Sequence, residues 1–198
     1  MRGAVGILAY GSLIGDPGAE IEPVIIARIP CYTPFPVEFA RQSRSREGAP
    51  TLVPSAGGSS VKAQILVVAL DVREATDRLY RREIHAVGSA RCYVSPKRQN
   101  ADRVVVETLL DFEGLATVLY TNIGANIPHP TATGLAQLAI SSARALGDGS
   151  DGISYLDNAM KAGIETPLTG AYAAEILRLS GGRDLGDAVA RIRGEVGE

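Results

Sequence analysis

The chain has 198 residues, 45% of them hydrophobic and 21% charged, with a formal net charge of −2. That balance belongs to a folded protein with one sizeable core, or one core with a helical appendage, and excludes a disordered chain. It leaves no general attraction for nucleic acid or an anionic membrane. No run approaches the roughly eighteen apolar residues of a bilayer span, and the N-terminus lacks the basic and apolar regions of a signal peptide, so a cytoplasmic location is expected.

Taken in chain order, the first element is an apolar run at 5–10 that ends in a glycine turn, Tyr10-Gly11-Ser12-Leu13. Short β-branched or apolar runs follow at 24–29, 36–41 and 51–54, then a longer one at 61–70, each bounded by Gly, Pro, Ser or Asp. Such bounded runs predict strands. Residues 72–85 switch to helical spacing, with Val72, Ala75, Thr76 and Leu79 on one face. Two more strands are predicted at 104–112 and 117–121. From about residue 130 the pattern is helical: 133–146 stops at Gly147, 152–162 at Gly163, 168–179 at Gly181-Gly182, and 185–192 ends the series. Glycine past the last turn is the usual stop. The expectation is one α+β domain over 1–198, strand-rich at 1–125 and helical at 130–198, with enough strand for a curved sheet or barrel.

Two places carry candidate chemistry. Gly11 opens backbone angles closed to other residues, so successive main-chain N–H groups around it can turn toward an anion, with the hydroxyls of Tyr10 and Ser12 beside them; the same four residues also read as a plain turn closing a strand. Glu83 lies eleven residues after Val72, and at 100° per residue it returns to the stripe that carries Leu79. A carboxylate on an apolar face is either paired with an arginine or kept there to move protons. Arg81 and Arg82 are its neighbours in sequence, but adjacent helical residues point apart.

The remaining titratable groups give less. Cys31 and Cys92 sit in apolar, β-prone segments and read as buried free thiols. His85 and His129 are too scattered for a zinc site, and no metal or organic cofactor is expected. Arg41, Arg44 and Arg46 form a short basic cluster that reads as a solvated or substrate-facing strand end. Asn122 and Asn126 read equally as pocket amides or as turn formers. Ser12 lacks the G-x-S-x-G context of a serine nucleophile, and Gly57-Gly58-Ser59-Ser60 lacks the Lys-Ser/Thr pair of a nucleotide loop. Tyr80 and Tyr93 read as partly buried core side chains or as pocket hydroxyls. The stripe Leu168, Ala171, Ala174 and Leu177 fits core packing or a subunit interface, which leaves a homodimer open.

The Tyr10-Gly11-Ser12-Leu13 loop closing the first strand, the strand-rich middle, and Arg81-Arg82-Glu83 ending a short central helix together resemble the γ-glutamylcyclotransferase-like proteins. The segment 39–54 and Asp151-Gly152-Ile153-Ser154-Tyr155-Leu156 with Ala162-Gly163-Ile164 are similar to the glutathione-directed branch. The resemblance implies a small mixed β-barrel of about six or seven strands with helices packed around it. It implies that Tyr10, Gly11, Ser12 and Leu13 hold a γ-glutamyl group and that Glu83 is acid and base, in a metal-independent enzyme acting on a small γ-glutamyl peptide or amine. The chain has no tryptophan, whereas the glutathione-directed branch commonly has one after the loop, so the substrate stays open. A related acyl transferase or γ-glutamylamine lyase, and a non-catalytic relative binding an amino-acid-like ligand or a protein, are the alternatives.

Overall fold

The computed structural model describes residues 4–97, 100, 102–147 and 149–194. All seven expected strands form: β1 (Val5–Ala9), β2 (Ile25–Tyr32), β3 (Val37–Ser43), β4 (Ala49–Pro54), β5 (Lys62–Val68), β6 (Val104–Phe112) and β7 (Leu115–Ile123). They hydrogen-bond as a five-stranded mixed sheet, in the order β2-β5-β1-β7-β6, and a separate two-stranded sheet of β3 and β4. The chain is therefore α+β, and among the described residues the strands close no barrel.

The chain divides into two compact units, Met1–Pro34 with Lys62–Gly124, and Phe35–Val61 with Ala125–Glu198. In the first unit β1 is central and all five of its residues are buried, as its unbroken apolar run requires of a strand covered on both faces. It pairs antiparallel with β5 and parallel with β7. The strand β2 lies at one edge and alternates half-buried with exposed residues; Pro30 is tolerated there because an edge strand has spare N–H positions.

The helix predicted at 72–85 is α2 (Val72–Glu83), following the four-residue α1 (Ser12–Gly15). Asp71 caps α2 by accepting from the Glu74 N–H at 2.8 Å. Ala75 and Leu79 are fully buried and join Val5, Ile7, Leu66, Val68 and Leu119 in one core. Val72 departs from the expected stripe: it is 44% exposed, because the first helical residue lies beyond the part of the sheet that covers Ala75 and Leu79. Since β5 runs antiparallel to β1, α2 returns to the end of the sheet where β1 finishes. Its last turn then meets the glycine turn.

In the second unit the β3–β4 hairpin joins α3 (Ala132–Ala145), α4 (Gly152–Lys161), α5 (Thr169–Ser180) and α6 (Leu185–Gly194). Phe39 of β3 packs edge-on against Tyr155 and Tyr172, at centroid distances of 6.4 and 5.3 Å. Asp151 is wholly buried and caps α4 through the N–H groups of Ile153 and Ser154, both at 2.9 Å, while its other oxygen accepts from Arg193. Arg46 belongs to this framework: it donates to the Ser150 carbonyl at 2.8 Å and lies over the Tyr155 ring.

Both cysteines are free. Cys31 is half-buried, and burial first, then the Glu113 charge, pushes its thiol up to about 11. Cys92 is exposed rather than buried, because residues 85–97 form loop and not strand and Tyr93 takes the inward position.

Candidate active site

The turn after β1 has the backbone its sequence predicts. Gly11 sits at φ 65°, ψ −137°, a conformation essentially confined to glycine. Ile14 N–H bonds back to the Gly11 carbonyl at 3.2 Å and Asp16 N–H to that of Ser12 at 2.9 Å. The Ser12 and Leu13 N–H groups have no acceptor among the described residues. The Leu13 side chain is buried in the core beside α2, and the Tyr10 hydroxyl donates to the Thr121 carbonyl at 3.1 Å, tying the turn to β7. Of the four expected contact residues, Tyr10 and Leu13 thus anchor the turn through their side chains. The Ser12 and Leu13 N–H groups stay unclaimed among the described residues, and the Ser12 hydroxyl turns to Arg82.

Arg82 joins this turn to Glu83. Its Nη1 donates to Glu83 Oε1 at 2.7 Å, while Nη2 donates to Ser12 Oγ at 3.2 Å and to the Asp16 carbonyl at 2.8 Å. The side chains of Arg82 and Glu83 are only 15% and 12% exposed. Adjacent helical residues diverge, yet this pair forms, because Glu83 is the last helical residue and the long arginine reaches back across the helix end. Glu83 Oε2 has no partner among the described residues. One oxygen of the carboxylate is fixed and the other carries no bond to a described residue.

A brace of charges supports this end of α2. Arg81 Nε donates to Glu20 Oε2 at 2.8 Å and its Nη1 to the Arg91 carbonyl at 3.0 Å; Glu20 also accepts from the Gly88 N–H. The Arg81 hydrogen bond is the main reason that the Glu20 carboxyl is held below the ordinary glutamate value. Arg78 adds a 2.7 Å bond to the Glu20 carbonyl. Three successive basic positions along the helix thus hold the loop that follows the glycine turn.

A second carboxylate is one that the sequence reading missed. Glu107 on β6 accepts from the Tyr120 hydroxyl at 2.5 Å and from Asn122 Nδ2 at 2.8 Å, both on β7. Burial, and then the bond to Glu107, pushes the Tyr120 hydroxyl up. Leu119 faces α2, so Tyr120 faces the other way; Glu83 and Glu107 are on opposite faces of the sheet. The available signal was strand alternation, but it picks out Glu107 only once the register that places it opposite Tyr120 is known. Asn126, the other amide of this stretch, makes two bonds to the Gln42 backbone, at 2.7 and 3.3 Å.

Beside the last turn of α2, in the same unit, a cavity of about 700 Å3 opens between Tyr80, Ile84, the 94–97 segment and the start of β6. Tyr80 packs edge-on against Tyr93 at 5.4 Å and forms part of its wall. No three His, Cys, Asp or Glu side chains among the described residues come together as a metal site. No family model, no curated protein and no solved structure matches this chain.

Proposed function

We propose that the protein is a γ-glutamylcyclotransferase-like enzyme acting on a small γ-glutamyl peptide or amine. The observation that supports this most is the Arg82 guanidinium, bonded on one side to Glu83 and on the other to Ser12. It brings the only acid on the last turn of α2 to a turn with unclaimed N–H groups. In the reaction the substrate's α-amine attacks its own γ-carbonyl carbon; the new C–N bond closes a five-membered ring and the old C–N bond breaks. Glu83 Oε2 takes the proton that the attacking nitrogen loses and returns one to the leaving nitrogen, so 5-oxoproline and a free amine form with no external nucleophile. The Ser12 and Leu13 N–H groups hold the substrate carboxylate or the developing oxyanion. On this reading the five-stranded sheet stands for most of the family's small barrel, and the work is done in the cytoplasm.

One observation favours a second reading, a non-catalytic relative that binds an amino-acid-like ligand: the Glu83 carboxylate is already half engaged by Arg82. The two separate on 5-oxoproline release from glutathione, γ-glutamyl dipeptides and γ-glutamyl amines, with Glu83→Gln alongside. Cyclotransfer predicts release by the native protein and a loss of about 10²- to 10⁴-fold in a variant that melts normally. Silence of the folded native protein across the panel would leave the binding role.

A further inference from the structure

The strand β5 sets one carboxamide against a run of aliphatic side chains. Ile65, Leu66, Val67 and Val68 are fully buried, and Gln64 comes just before them. Its Oε1 is buried with no hydrogen-bond partner among the described residues. The neighbouring positions cannot supply one: Gln64 is opposed by Ala9 on β1 and by Pro30 on β2, and neither has a side-chain donor. An unpaired buried acceptor weakens a fold, and an aliphatic residue here would avoid the loss. A polar group held against stability in this way is suited to meeting a donor on a ligand.

Residues directly opposed across antiparallel strands share a face, with Cβ atoms about 4.5–5.5 Å apart. Ala9 belongs to the core that includes Leu13 and Leu79, so Gln64 lies on the face of the sheet that α2 covers, the face of Glu83. Ala9 is also two residues before Gly11, a reach of at most about 7 Å. Arg28, two residues before Pro30 on β2, donates to the Ile14 carbonyl of α1 at 3.4 Å and holds α1 over the same corner. The unclaimed Ser12 and Leu13 N–H groups and the unclaimed Gln64 oxygen are therefore at one end of one face.

A γ-glutamyl group carries a carboxylate and an amine on one carbon, which donors and an acceptor side by side can hold together. Resting on the cyclotransfer reading, we propose that Gln64 accepts a hydrogen bond from the substrate's α-amine while the turn holds the α-carboxylate. Gln64 as a whole is only half-buried, and the broad last torsion of a glutamine lets its oxygen turn to the ligand. A neutral carboxamide suits this task better than a carboxylate. It orients the amine in both protonation states without holding the proton that Glu83 takes, and it leaves the nitrogen lone pair directed at the γ-carbonyl carbon.

The ring N–H of 5-oxoproline is what remains of that amine. The test therefore titrates 5-oxoproline and 3-oxocyclopentane-1-carboxylate, in which a CH2 replaces the N–H, into the native protein and into Gln64→Met. The native protein is expected to bind 5-oxoproline about ten-fold or more tightly than the carbocycle, and Gln64→Met to bind the two alike. The variant should melt no lower than the native protein, since it removes an unpaired buried oxygen at similar volume. Its kcat/KM for γ-glutamyl compounds should fall about ten-fold or more. A residue that only supports the fold would show the reverse, a lower melting temperature with the preference kept. Equal affinities in the native protein, or a preference that survives in Gln64→Met, would overturn the proposal. The titration does not depend on turnover. A preference that is lost in the variant, with no 5-oxoproline released from any substrate, leaves the amine site standing and removes cyclotransfer. Release by the native protein without any preference does the opposite, and binding of neither ligand removes the amine site whatever the turnover.

Discussion

Arg82 makes three side-chain hydrogen bonds at once, to Glu83, Ser12 and Asp16, and Gly18 lets it lie where it does. Gly18 has φ +87°, and a Cβ there would stand 3.0 Å from Arg82 Cγ. Both the backbone and the contact oppose any side chain. Gly18→Ala is expected to cost about 1–2 kcal/mol of stability, from the left-handed φ and the crowding together. It should also lower 5-oxoproline release by more than the loss of folded protein explains, because Arg82 is pushed off Ser12. Thermal melting with turnover per folded molecule checks this, and a destabilised but fully active variant would show that the Arg82 bridge is idle. At this scale Gly11 and Glu83 were legible, since turn chemistry and helical spacing are local. Glu107 was not: it takes its meaning from Tyr120, thirteen positions on, and only strand pairing brings them together.

The helix α2 is held to its neighbours through its polar side as much as through Ala75 and Leu79. Arg78 and Arg81 bond Glu20, which in turn accepts from Gly88, so one carboxylate ties the loop before β2 to the loop after α2. The Arg81 bond holds the Glu20 carboxyl below the ordinary glutamate value. In the unfolded chain Glu20 takes up a proton near roughly pH 4.3, while the folded chain resists to lower pH. The stabilisation is therefore complete above that value and is lost as the pH falls through the lower, folded value. Glu20→Gln should flatten this part of the acid limb in melts between about pH 3 and 6, and at neutral pH should cost about 1–3 kcal/mol for a charged hydrogen-bonded partner removed. An unchanged acid limb would assign the brace no net role. The elements themselves were legible because glycine, proline and polar residues bound each strand and Asp71 caps α2. The helix α1 and the single turns Glu22–Val24 and Arg44–Arg46 are too short for periodicity to reveal. The loop holding Cys92 looks like strand because composition alone cannot tell a β-prone run that pairs from one that does not.

At the scale of the whole molecule the chain leaves the sheet unit at Pro34, returns at Lys62 and leaves again after Gly124. Nothing local in 35–61 says that its partners lie beyond residue 125. The hairpin's apolar positions carry the dependence. Val37, Phe39, Leu52 and Val53 are each 7% exposed or less, Phe39 packs on Tyr155 and Tyr172, and the Leu52 N–H donates to the Tyr155 hydroxyl at 3.3 Å. Burying four such side chains contributes about 6–12 kcal/mol, which is comparable to the whole stability of an ordinary domain. A chain ended at Gly124 should therefore expose the hairpin, bind a hydrophobic dye and aggregate, even though every strand of the five-stranded sheet is still encoded. Replacing Val37, Phe39, Leu52 and Val53 in that shortened chain by polar residues should lower dye binding and raise soluble yield, because the deficit lies in uncovered apolar surface and not in the sheet. A shortened chain that stays monomeric and binds no dye without those replacements would mean that the hairpin needs no cover from the helices. Aggregation untouched by the replacements would place the deficit in the sheet unit instead.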